Sequence, residues 1–178
     1  MKVQFKVPTR EEVSAGNQVL FDQLKSAVGM VPNLYATIAY SDTALGNYLA
    51  LQNGKTSLSK KEKEVVNLVV SQTNNCQYCL AAHTLLGKMN GLTEEQTLEI
   101  RKGSAPFDPR LDALVKFTRA VADHRGRIDD DVLAAFFAAG YTKGSMIDVV
   151  VAIADKVVMN YVHNITKIPV DFPAAPAL

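Results

Sequence analysis

An all-α fold is what this sequence predicts, on three observations. Apolar residues recur at helical spacing from Val13 to Val28, from Leu111 to Val121 and from Met146 to Tyr161. A Ser or Thr stands three residues before a Glu or Gln at Thr9–Glu12, Ser59–Glu62 and Thr93–Gln96, the spacing of a reciprocal helix cap. No segment alternates apolar with polar residues over a strand's length, so a compact bundle of roughly seven to nine helices follows.

Each element has its own signal. The Thr9–Glu12 cap and the stripe Val13, Leu20, Phe21, Leu24, Val28 predict a helix over about 10–28, an N-terminal helical arm ended by Gly29. Pro32 opens the next element, and Asn33 to Gly54 reads as two helices broken near Ser41-Asp42. Ser59 caps a helix through Glu64 to Ser71. The β-branched run there is compatible with a strand, but the cap and the stripe Val65, Leu68, Val69 favour a helix. Asn74-Asn75 suits the end of that helix and the cap of the next, which runs from about Cys76 to Met89 and stops at Asn90-Gly91.

Shorter helices follow from Thr93 to Lys102, from Leu111 to about Asp123 and from Asp129 to Ala139. The longest spans Thr142 to about Ile165, and Pro169, Pro173 and Pro176 mark an irregular tail.

The 178 residues, 48% hydrophobic and 21% charged, predict one domain over 1–178 with a core large enough to need no staple. A net charge of +1 argues against a nucleic-acid groove. The first residues lack the apolar centre of a secretory signal, and the most apolar late stretch is interrupted by Asp155 and Lys156. Hence no membrane partner and a cytoplasmic location are expected. In a reducing cytosol a Cys-x-x-Cys pair is more often catalytic, redox-active or metal-binding than structural.

Both cysteines lie in Asn75-Cys76-Gln77-Tyr78-Cys79-Leu80-Ala81-Ala82-His83. On a helix, Cys76, Cys79 and His83 share one face. Two thiols one turn apart can close a disulfide, the helix N-terminus favours a thiolate, and the imidazole can take a proton. Glu64 lies on the preceding helix, and an antiparallel pair turning at Asn74-Asn75 would bring its carboxylate beside His83, fixing the tautomer and raising its basicity. A zinc site would need a fourth ligand that the sequence does not offer, and the bland reading makes both cysteines small buried hydrophobes. The dipole favours Cys76 as the attacking thiol, whereas contact with His83 favours Cys79. Proton removal needs contact, so Cys79 is expected to attack. His124 reads as a loop residue and His163 as a packed or surface histidine; the stripe of the last helix reads as core or subunit contact.

Glu64, then Cys76-Gln77-Tyr78-Cys79, then His83 resembles the signature of the AhpD-like alkylhydroperoxidases within the carboxymuconolactone decarboxylase family. Val31-Pro32-Asn33-Leu34, Leu58-Ser59, Asn160-Tyr161 and Pro169-Val170-Asp171-Phe172-Pro173 resemble its peroxidase-related subgroup. The resemblance implies an AhpD-like helical fold in a homo-trimer or homo-hexamer that reduces hydroperoxides with a dithiol. Carried over by position, Cys79 forms the sulfenic acid, Cys76 resolves it to the disulfide, and His83 with Glu64 relays the proton. No cofactor beyond that redox-active disulfide is implied, and the electrons come from a dithiol carrier or thioredoxin-like protein. Tyr78 departs from the pattern, standing where well-understood members have a histidine, and lines the site or packs beside it. The wider family also admits a decarboxylase acting on a lactone acid, and a non-catalytic redox sensor or scaffold is the third alternative.

Overall fold

The computed structural model describes residues 3–178. Among them are nine α-helices: α1 Ala15–Val28, α2 Asn33–Ile38, α3 Ala44–Gln52, α4 Lys60–Thr73, α5 Gln77–Met89, α6 Glu94–Lys102, α7 Pro109–His124, α8 Asp130–Ala138 and α9 Lys143–Thr166. No strand occurs among the described residues. The chain is all-α, as its periodicity predicts.

The helix expected from Arg10 is divided. Thr9 and Glu12 do form the reciprocal cap, but around one 3-10 turn, Arg10–Glu12, after which Val13 is extended and buried. Ser14 then caps α1 afresh, its hydroxyl accepting from the Asn17 backbone N–H. The extended backbone at Val13 accompanies burial of its side chain, which offsets the break in the helix.

Helix α4 is the axis of the fold. Every residue from Glu64 to Ser71 is buried, with α5, α6, α7 and α9 packed around it. A helix covered on all sides is apolar all round, which accounts for the strand-like run Val65-Val66 and Val69-Val70. Each such valine or leucine contributes about 1.5–3 kcal/mol by leaving water. One side of α4 faces a core built with α7, α8 and α9, in which Phe136 stacks between Phe117 and Tyr141 at 4.2 and 4.4 Å. A second cluster gathers α1, α2, α3 and the tail around Cys76 and Cys79.

Helix α9 lies along α4 in parallel. Asp148 accepts from the Ser57 backbone N–H at 2.7 Å, Asn160 donates to Ser71 Oγ at 3.3 Å and Asn164 donates to the Asn74 carbonyl at 2.7 Å. These three contacts span 91, 89 and 90 residues, so a single register holds along both helices. No helix among the described residues is long and apolar enough to cross a membrane.

Candidate active site

The junction between α4 and α5 places the first cysteine. Asn75 adopts a left-handed backbone with φ 51°, which asparagine tolerates better than most residues. The Asn75 N–H donates to the Gln72 carbonyl and the Cys76 N–H to the Ser71 carbonyl, the paired bonds that close a helix C-terminus. Cys76 thus completes the end of α4 and also begins α5, where its sulfur accepts the Cys79 N–H at 3.3 Å. The expectation that Asn74-Asn75 caps the second helix is corrected here: the pair ends α4, and Cys76 is the cap.

Cys76 and Cys79 are within bonding distance as a disulfide, with Cα atoms 5.3 Å apart. Both are buried, among Leu34, Ile38, Tyr48, Met159 and Ile168. The first-turn dipole and the N–H donated to sulfur favour negative charge on Cys76. Cys79 lies one turn before His83 on the same face.

His83 is buried, and its Nδ1 stands 2.7 Å from Glu64 Oε2. Asn67, one turn along α4, donates to Glu64 Oε1 at 3.5 Å. Burial raises the Glu64 carboxyl, but the charge of His83, its hydrogen bond and the charge of Lys156 outweigh that and hold it below the usual range. Burial, reinforced by Lys156, pushes His83 below its ordinary value against the pull of Glu64. The pair therefore rests as a carboxylate accepting Nδ1–H from a neutral imidazole, with Nε2 free as the proton acceptor.

Tyr78 points the other way. Its hydroxyl accepts the Leu34 backbone N–H at 3.3 Å and faces Asp171, and its ring meets His163 at 5.4 Å and Phe172 at 5.5 Å between centroids. Pro32 gives α2 no side-chain cap, so the first-turn N–H groups are met from outside: Asn33 by Asp171 at 2.8 Å, Leu34 by Tyr78. Tyr78 thereby ties α5 to α2 and to the tail. His163 is drawn to this cluster, whereas His124 ends α7 exposed to solvent. Among the described residues no group of three or more His, Cys, Asp or Glu is arranged to hold a metal ion.

Sequence reasoning passed over Lys156 and Asp155, noted only as interruptions of an apolar stretch. Both are buried on α9, and the Lys156 charge acts on Glu64 and His83. The signal available was a lysine inside an apolar helical stripe.

Solved structures share this architecture. An uncharacterized peroxidase-related protein from Silicibacter sp. TM1040 aligns with TM-score 0.80 at 23% identity, over 90% of this chain and 87% of that one. The alkylhydroperoxidase AhpD core of a peroxidase-related protein from Ralstonia eutropha JMP134 aligns with TM-score 0.81 at 20% identity, over 91% and 88%. The debrominase Bmp8, as a cysteine-to-alanine variant in complex with 2,3,4-tribromopyrrole, aligns with TM-score 0.77 at 12% identity, over 96% and 93%. Identities this low speak for the fold. No curated protein matches the sequence significantly. Residues 41–120, which hold α4, α5 and all four expected site residues, match the model of the carboxymuconolactone decarboxylase family. The chain has an AhpD-like helical fold, and its central segment is similar to that family. Within this AhpD-like fold the matched segment holds α3, the central α4–α5 hairpin, α6 and most of α7.

Proposed function

We propose that this AhpD-like protein is a thiol-dependent peroxidase acting on alkyl or hydrogen peroxide. One observation carries the reading: a buried dithiol at the start of α5, one turn before an imidazole that is hydrogen-bonded to a buried carboxylate.

His83 Nε2 takes the Cys79 thiol proton. The Cys79 thiolate attacks the terminal peroxide oxygen, the O–O bond breaks, and the departing alkoxide takes the proton from the imidazolium, giving alcohol and Cys79 sulfenic acid. The Cys76 sulfur then displaces hydroxide, which leaves as water after taking up the Cys76 proton, and the disulfide forms. A dithiol carrier or thioredoxin-like protein restores both thiols by exchange and is itself oxidised to a disulfide. Apolar walls around the sulfurs exclude bulk water and favour this order of events. The protein is read as cytoplasmic and as a homo-trimer or homo-hexamer. Support for assembly comes from α9, where Ile147, Val150, Val158, Tyr161 and Ile165 leave an apolar stripe exposed on one protomer.

The test is thiol trapping with mass analysis of the reduced protein under a measured dose of peroxide. Loss of one peroxide per Cys76–Cys79 disulfide formed is expected. A peroxide concentration that stays level with the reduced protein refutes the reading. Turnover of a lactone acid that survives a double Cys→Ser change assigns the lyase alternative instead, and a disulfide that forms once and is not reduced by any dithiol protein assigns the sensor.

A further inference from the structure

The Glu64–His83 pair has a third charged neighbour. The common register of α9 on α4 sets Lys156 level with Val66 and Asn67, beside the residue that bonds Glu64. Lys156 is 2% exposed and forms no close ion pair among the described residues. A lysine so enclosed is costly unless carboxylates compensate it. Two do so at longer range, Glu64 on α4 and Asp155 on α9. Asp155 lines a cleft of about 240 Å³ between α3 and α9 together with Asn67 and Lys63, and its Oδ1 is buried without a hydrogen-bond partner.

We propose that Lys156 is a positioning residue for this pair, its buried ammonium keeping Glu64 ionised and His83 neutral, so that the imidazole remains a proton acceptor at neutral pH. The groups facing this cluster are Lys63 and Glu64 from α4, Asp155 and Lys156 from α9, Tyr48 from α3, Tyr35 from α2 and His83 from α5. Burial pulls the ammonium below its ordinary range, and Asp155 and Glu64 oppose that pull. Both tyrosines are raised, chiefly by burial, and stay uncharged near neutrality. The local balance is therefore two carboxylates, Glu64 and Asp155, against two lysines, Lys63 and Lys156. An imidazolium at His83 would add an unmatched positive charge. Its own burial and the nearby Lys156 charge oppose it. Without Lys156 the two carboxylates would draw a proton onto His83, and a protonated imidazole accepts nothing from Cys79.

The proposal deepens the peroxidase reading and takes its catalytic meaning from it, yet its test reads His83 directly. Histidine-labelled, reduced full-length protein is titrated by NMR as wild type, Lys156→Gln and Lys156→Arg. The His83 midpoint is expected to rise by about one pH unit in Lys156→Gln and to stay at the wild-type value in Lys156→Arg. An unmoved midpoint in Lys156→Gln overturns the proposal, as does an equal rise in both variants, which would assign the effect to shape. Should Lys156→Gln not fold, the ε-carbon shift of Lys156 in the wild-type protein decides: an ammonium at pH 7 upholds the proposal and a neutral amine overturns it. A protein that consumes no peroxide but shows the His83 shift fails the peroxidase reading and upholds this one.

Discussion

His83 Nδ1 and Glu64 Oε2 meet at 2.7 Å across 19 residues of sequence, tying the two helices of the α4–α5 hairpin through buried polar groups. The bond commits the imidazole to one tautomer and leaves Nε2 as its basic nitrogen. Replacing the carboxylate in Glu64→Gln keeps the shape but removes the charge that favours an imidazolium. Sulfenic acid formation is expected to slow by roughly 10²-fold, measured by stopped-flow oxidation of the reduced protein, with the helical content unchanged.

The same pair sets a pH dependence of stability. His83 is buried and resists protonation, so its folded value lies below the ordinary 6.5 of the unfolded chain. Between those two values the unfolded chain binds more protons, and stability falls as pH falls, by up to about 1.4 kcal/mol per unit for one group. The contribution is fully present above 6.5. His163, lowered by burial beside Tyr78, acts in the same sense. Melting temperatures from pH 8 to pH 5 are expected to drop from about pH 6.5 downward, and less steeply in His83→Gln. Equal slopes in both proteins would show that His83 is protonated in the folded chain.

The two cysteines separate by position. Cys76 caps α5 through its sulfur, and Cys79 stands one turn before the base. In Cys76→Ser, peroxide is expected to leave a stable sulfenic acid on Cys79, detected as one adduct of a carbon-nucleophile probe. Cys79→Ser should give none. The reverse pattern would make Cys76 the attacking thiol and assign the advantage to the helix dipole rather than to His83.

What was legible in the sequence was what depends on one helix or on two joined by a tight turn. Cys76, Cys79 and His83 follow from the period of α5, and Glu64 from the hairpin. The boundaries of α4 and α6 follow from their caps. Lys156 was not legible, because its role depends on the register of α9 against α4 across about 90 residues, which no local pattern encodes. Tyr78 reads two ways in the sequence for a related reason. Its partner is an uncapped N–H of α2, some 44 residues away. The predicted arm is too long because Thr9 and Glu12 cap a single turn as well as they cap a helix, and the extended, buried Val13 and the new cap at Ser14 separate the two cases.

Tyr78 carries a test of its structural role. Tyr78→Phe keeps the ring against His163 and Phe172 but leaves the buried Leu34 N–H without its acceptor. A loss of about 1–3 kcal/mol is expected by urea denaturation. Tyr78→Ala also empties the ring's site and should cost about 3–5 kcal/mol. The oxidation rate of Cys79 in Tyr78→Phe should stay within a few-fold of wild type. A loss near that of Glu64→Gln would instead place the hydroxyl in the proton relay.

Asn75 is the hinge on which the cysteine geometry turns. Its left-handed backbone lets Cys76 donate to the Ser71 carbonyl and cap α5 in the same step. A β-branched residue there would be strained by about 1–2 kcal/mol, and the chain relieves such strain by moving the flanking residues. In this junction the flanking residue is Cys76. Asn75→Val is therefore expected to lower the melting temperature and also to slow closure of the Cys76–Cys79 disulfide, followed by thiol trapping at timed intervals. Asn75→Gly, which adopts the same backbone freely, should close the disulfide at the wild-type rate. If Asn75→Gly closes as slowly as Asn75→Val, the asparagine side chain and not its backbone conformation governs the step.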